Sequence, residues 1–177
     1  MTATLPFALD QVERSDGPLV HVLLGADGGH VGAVAARLLP AARERVFRVI
    51  TDLDRLAERV PMMDKVHFEG NRVTVHLRFG IGLFSAKFSF KAERRVEEGR
   101  ALELRYLEGE PRDLRIRHEV HDATAAGASV LFTTVTFDAF SLGFLAKYFL
   151  KHHPEIRFGV FPGSALTLSD AVLRAVR

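Results

Sequence analysis

Apolar and polar residues alternate one by one along much of the chain between residues 64 and 137. Val73, Val75, Leu77 and Phe79 alternate with Thr74, His76 and Arg78, and Phe84, Ala86, Phe88 and Phe90 with Ser85, Lys87, Ser89 and Lys91. A period of two sends successive side chains to opposite faces of a strand, so each stretch predicts one dry and one wet face. Leu102, Leu104 and Tyr106 continue the pattern against Glu103 and Arg105. Leu114, Ile116, His118 and Val120 then alternate with Arg115, Arg117 and Glu119. Residues 130–137 supply the last strand, whose parity stays open because both faces carry apolar side chains and Thr. The link Gly80-Ile81-Gly82 is short enough for a hairpin turn, and Gly109, Pro111 and Gly127 mark later turns. Six or seven consecutive strands joined this tightly predict a meander.

The period changes outside this region. In residues 41–60, Val46, Phe47, Ile50, Leu53 and Leu56 fall at helical spacing with one buried face. Pro40 stops a strand over 31–39, Asp52 and Asp54 could cap a second short helix, and Pro61 ends it. Residues 1–30 read as an N-terminal extension packed on a domain of 31–177, with a strand at 19–24 and a turn at Gly25, Gly28 and Gly29. The tail from 141 to 177 is helical in composition but holds Gly143, Pro154, Gly159, Pro162 and Gly163. It predicts a first piece over 142–152, a broken middle, and a final helix over 164–176 with Ser164 as a candidate cap.

The order of strand, helix pair, many-stranded antiparallel sheet and long C-terminal helix resembles the SRPBCC superfamily, which includes START domains, polyketide cyclases and aromatases, and ubiquinone-binding proteins. Residues 40–61 carry the likeness: a strand ends at Pro40, a helix carries Val46-Phe47, and Asp52 leads into a short helix closed by Val60-Pro61. Residues 108–112, 114–118 and 127–132 resemble the paired late strands of that superfamily. The likeness spans residues 31–177; the lack of Trp and the longer N-terminal segment depart from the common pattern. It implies an α+β helix-grip fold, a curved antiparallel sheet wrapped around a long C-terminal helix, with two short helices after the first strand. It also implies a deep cavity that takes sterols, lipids, quinones or polyketides.

Composition sharpens that picture. Fourteen Phe stand against two Tyr and no Trp, so the aromatic surface is nearly without polar handles, which suits a greasy lining or simply a core. The net charge is +2, with Lys and Arg interspersed among Asp and Glu, so no basic stripe is offered to nucleic acid. No Cys is present, which removes disulfides and thiolate chemistry and leads us to expect a cytoplasmic protein. We expect no signal peptide or transmembrane helix, since no basic start precedes an apolar stretch and no run of ~18 apolar residues occurs. The eight His form no His-Glu-x-x-His frame. His118 and His121 fall on opposite faces of one strand, and His152 and His153 point about 100° apart on a helix. No metal, no cofactor and no catalytic residue is assigned.

The candidate ligand-binding set is Val75, Leu77, Phe79, Phe84, Phe88, Phe90, Leu104, Tyr106, Ile116, His118, Thr133 and Phe149. One helix over a curved sheet can leave a hollow, and burying ten ligand methylenes there would gain about 8 kcal/mol before the costs of association. A solid core is the other reading. Parity puts His118 on the dry face, where a buried imidazole needs a partner. That partner is a ligand group, or else Tyr106 or a backbone carbonyl. Residues 140–153, with Phe144, Tyr148, Phe149, Lys147 and Lys151, suit transient contact with a membrane surface or packing over the sheet. Two functions stay open: a carrier of a hydrophobic small molecule, and a polyketide cyclase, aromatase or dehydratase using His118 and Tyr106. Oligomeric state is not legible.

Overall fold

The computed structural model describes residues 5–61, 63–81 and 84–177, with side chains at all of these except 79–81, 84–86, 145, 146, 149, 154 and 157. The turn expected at 80–82 lies partly outside the described residues. So do the side chains of Phe79, Phe84 and Phe149.

Each alternating stretch forms a strand. β3 (Met63–Glu69), β4 (Arg72–Ile81), β5 (Phe84–Glu97), β6 (Ala101–Gly109), β7 (Arg115–Asp122) and β8 (Ser129–Thr136) pair antiparallel in succession. β2 (His30–Leu39) pairs with β8, and β1 (Leu19–Leu24) with β2, giving one eight-stranded sheet in the order β1-β2-β8-β7-β6-β5-β4-β3. The curved sheet grips the C-terminal helix on its inner face.

The ambiguous parity of β8 has a physical cause. Leu131 and Val135 join the large inner core. Val130 and Phe132 belong to a second apolar cluster on the outer face, with Val34, Ala36 and Val12 of α1 (Leu9–Glu13). The N-terminal segment covers that part of the outer face, so β8 is buried on both sides and loses its alternation.

After β2 the chain forms α2 (Arg43–Thr51) and α3 (Leu53–Ala57). Between them the Asp52 carboxylate accepts from the Arg55 backbone N–H, capping α3 as the sequence suggested. Val46, Phe47, Ile50, Leu53 and Leu56 all face the inner core. Arg94 on β5 donates to the Thr51 carbonyl at 3.1 Å, satisfying an acceptor at the end of α2.

The tail departs from expectation. α4 (Gly143–His152) and a 3-10 turn (Pro154–Ile156) are followed by α5 (Arg157–Val176), so the final helix starts seven residues before position 164. Ser164 does not cap it; its hydroxyl donates to the Val160 carbonyl within the helix. Pro162 removes one helical hydrogen bond, the one to the carbonyl of Phe158, and Phe158 lies 65% exposed, where water can take that acceptor. A side chain at Gly159 or Gly163 would meet nothing, so both line an open surface. Phe161, Ala165, Leu168, Val172 and Val176 recur at helical spacing and are buried in the core. Their burial outweighs a local cost of about 1 kcal/mol per glycine. α5 lies over β2 and β8 and meets β1, α2 and α3. An ion pair of 2.6 Å from Arg37 of β2 to Asp170 fixes it there.

Candidate functional site

The inner face of the sheet is built from cross-strand apolar pairs. Val75 opposes Phe90, Leu77 opposes Phe88, and Leu104 opposes Ile116. Val75, Phe90, Leu104 and Ile116 are buried in the core cluster that α2 and α5 cover. Leu77, Phe88 and Tyr106 are only half-buried. The inner face therefore closes at one end and opens at the other. α4 begins at the open end: a β-carbon placed on Gly143 would lie 3.4 Å from a ring carbon of Phe88. Tyr106 donates its hydroxyl to the Gly109 carbonyl at 3.1 Å, which ties it to the rim.

His118 sits within the closed part, between Leu102 on β6 and Thr133 on β8. It is 2% exposed and Thr133 is 0% exposed. Its Nδ1 lies 3.0 Å from Thr133 Oγ1. Thus two residues singled out from sequence meet each other, and Tyr106 meets neither. Burial pushes the imidazole down to about 4, so it is neutral at pH 7. If Thr133 donates to Nδ1, Nε2 carries the proton and is a donor; in the reverse arrangement Nε2 accepts. Nε2 has no hydrogen-bond partner among the described residues. On the helix side of the core, Ser169 of α5 buries a hydroxyl that likewise has none.

Among the described residues the only hydrogen bond of His118 is to Thr133, with no carboxylate to orient the ring as in a nucleophile–base–acid relay. No cluster of three or more His, Asp or Glu among the described residues could hold a metal. No helix among the described residues is long and apolar enough to cross a membrane.

The outer face carries chemistry that the sequence reading passed over as a wet surface. Glu97 of β5, Glu103 and Arg105 of β6, and Arg115, Arg117 and Glu119 of β7 interlock across strands. Arg117 bonds Glu97 at 2.6 Å and Glu119 at 3.1 Å, and Arg100 bonds Glu119 at 2.9 Å. Arg105 and Arg115 both donate to Glu103. Burial works to raise the Glu103 carboxyl, but the bonds and charges of these two arginines outweigh it and hold it below the usual range. The same balance, with Arg100 and Arg117, lowers Glu119. The signal was present in the chain: opposite charges two apart on strands expected to be neighbours.

No family model matches this sequence, and no curated protein matches it. Solved structures do match. A protein of Thermus thermophilus superposes with a TM-score of 0.64 at 16% identity, over 81% of this chain and 94% of its own. A START superfamily protein from Mycobacterium smegmatis gives 0.61 at 11% identity, over 81% and 94%. The ZhuI aromatase/cyclase from Streptomyces sp. R1128 gives 0.53 at 16% identity, over 91% and 96%. Identities this low speak to architecture alone. With its antiparallel sheet, paired short helices and gripped C-terminal helix, the chain has a helix-grip α+β fold similar to that of the START superfamily protein and the aromatase/cyclase.

Proposed function

We propose that this protein binds an apolar small molecule bearing one hydrogen-bonding group, held against the inner face of the sheet. The guest enters at the half-open end beside Leu77, Phe88 and Tyr106 and reaches toward Val75, Leu104 and Ile116. The observation that carries this reading is His118: a neutral imidazole on an apolar face, fixed through Nδ1 by Thr133, with Nε2 left unpartnered. With Nδ1 engaged, Nε2 is left to exchange a hydrogen bond with a ligand hydroxyl, carbonyl or carboxyl. Fixing the ring through its other nitrogen lowers the entropy lost when such a group docks.

A cyclase or dehydratase would use the same space, and the likeness to an aromatase/cyclase favours keeping that reading second. Two features weigh toward carriage. An imidazole held near 4 is a weak base at neutral pH. Tyr106, the other candidate acid, is spent on the Gly109 carbonyl.

The outward side of α4 supplies a route. Phe144 is 84% exposed, Tyr148, Lys147 and Lys151 lie on the same side, and α4 contains no acidic residue. Aromatic side chains flanked by lysines suit brief contact with an anionic lipid surface, from which an apolar guest is collected. Native mass spectrometry with lipid extraction tests the reading. A retained quinone, acyl lipid or sterol-like molecule is expected in the wild type and in Lys91→Ala, and is lost in His118→Ala. Equal retention in all three would remove His118 from the site, and an empty wild type from every source would argue against carriage.

A further inference from the structure

The outer face holds a cleft of about 650 Å3, separate from the apolar interior, between the N-terminal segment and the strands β6 and β7. Its two sides differ in chemistry. Leu5, Pro6, Leu23 and Val34 make one side mainly apolar, with His21 and Thr134 as its polar members; the other wall is the ionic lattice. That lattice is not neutral within the cleft: four arginines face three glutamates.

The excess can be placed. Arg117 is taken by Glu97 and Glu119, and Arg100 by Glu119. Arg105 and Arg115 stand opposite one another on β6 and β7, where like charges would repel, and both donate only from Nε, to the same oxygen of Glu103. One carboxylate is thus shared by two guanidinium groups. The η nitrogens of both make no hydrogen bond to any described residue, and each side chain is close to half exposed. Two adjacent planar forks with open donors form a receptor for a carboxylate, which accepts from paired N–H groups.

We propose that this cleft is a second ligand site, which takes a small organic carboxylate whose head is held by the η nitrogens of Arg105 and Arg115 and whose apolar tail lies along Leu5, Leu23 and Val34. An inorganic anion would satisfy the arginines but leave the apolar wall wet. A neutral alcohol would do the opposite. Only a molecule with both ends uses both walls.

Arginine Nε–H signals of the full-length protein read the site directly. Hexanoate should shift the Arg105 and Arg115 signals saturably, and Arg105→Gln and Arg115→Gln should each weaken binding about tenfold or more, one charged donor pair being lost. 1-Hexanol should shift neither signal, and inorganic phosphate should bind at least several-fold more weakly than hexanoate. His118→Ala, which alters the interior, should leave these shifts unchanged. Leu23→Ser should weaken hexanoate but not phosphate, and needs no change in the lattice. The proposal is overturned if hexanoate produces no saturable shift, if both arginine variants keep wild-type affinity, or if phosphate binds as tightly as hexanoate.

Discussion

His118 Nδ1 lies 3.0 Å from Thr133 Oγ1, across the β7–β8 pair in which the two residues face each other. The pair is buried, so its protonation is linked to folding. The folded imidazole titrates near 4 against an ordinary value of 6.5, and between those values the unfolded chain binds a proton that the folded chain refuses. Stability is therefore full above about pH 6.5 and declines as pH falls toward 4. Between pH 7.5 and 5 the part due to His118 is about 2 kcal/mol. Urea unfolding of the wild type at both pH values, set beside His118→Leu, checks it: the variant should lack this decrement. An equal pH dependence in both proteins would mean that His118 is not buried neutral.

Gly109 marks the bulged end of the β5–β6 pair. Its φ is +103°, and a β-carbon there would come 2.2 Å from the Ser89 carbonyl oxygen and 2.7 Å from Phe90 Cα. Both neighbours are backbone and cannot move aside. Gly109→Ala should cost more than about 2 kcal/mol of stability and disturb the rim where Tyr106 is tethered. A chemical denaturation curve superposing on the wild type would contradict the close crossing of the two strands.

Removing the Glu103 carboxylate would leave Arg105 and Arg115 facing each other without their shared anionic acceptor. Glu103→Gln should lower stability by about 2 kcal/mol at low salt, the loss of charge-assisted bonds at a buried acceptor. High salt should reduce the difference by screening the two arginines. Denaturation at low salt and again at high salt measures both effects.

On α4, Phe144→Ser and Lys147→Glu should each lower binding to vesicles containing phosphatidylserine, while neither alters the melting temperature by more than about 2 °C, because both side chains are exposed. Co-sedimentation with phosphatidylserine and with neutral phosphatidylcholine vesicles separates charge from insertion. Undiminished sedimentation of both variants would leave α4 without a role at lipid.

Much of the sheet was legible because its inner residues, such as Val73, Val75 and Leu104, have water on the other side of the strand, and the sequence must record that difference. Asp52 was legible as a cap for the same local reason: its partner, Arg55, is three residues away. The start of α5 was not. Gly159, Pro162 and Gly163 argue locally against a helix, and only the distant packing of Phe161 and Ala165 against the sheet overrides them. In the site, parity placed His118 on the dry face, but its partner could not be read, since the β7–β8 register sets it opposite Thr133. The outer lattice needed the registers of β5, β6 and β7, because its bonds join Glu97 of β5 to Arg117 of β7, and Glu119 of β7 to Arg100 in the turn before β6.

An apolar guest lodged between the sheet and its gripping helix would touch the methyl groups of the inner face. Methyl-labelled protein, stripped of bound lipid and mixed with oleate, tests it most directly through nuclear Overhauser contacts between the acyl chain and the protein. Contacts from oleate to the methyl groups of Val75, Leu77, Leu104 and Ile116, weakened by His118→Ala, are expected. Contacts confined to surface methyls such as those of Leu24, or none at all, would contradict it.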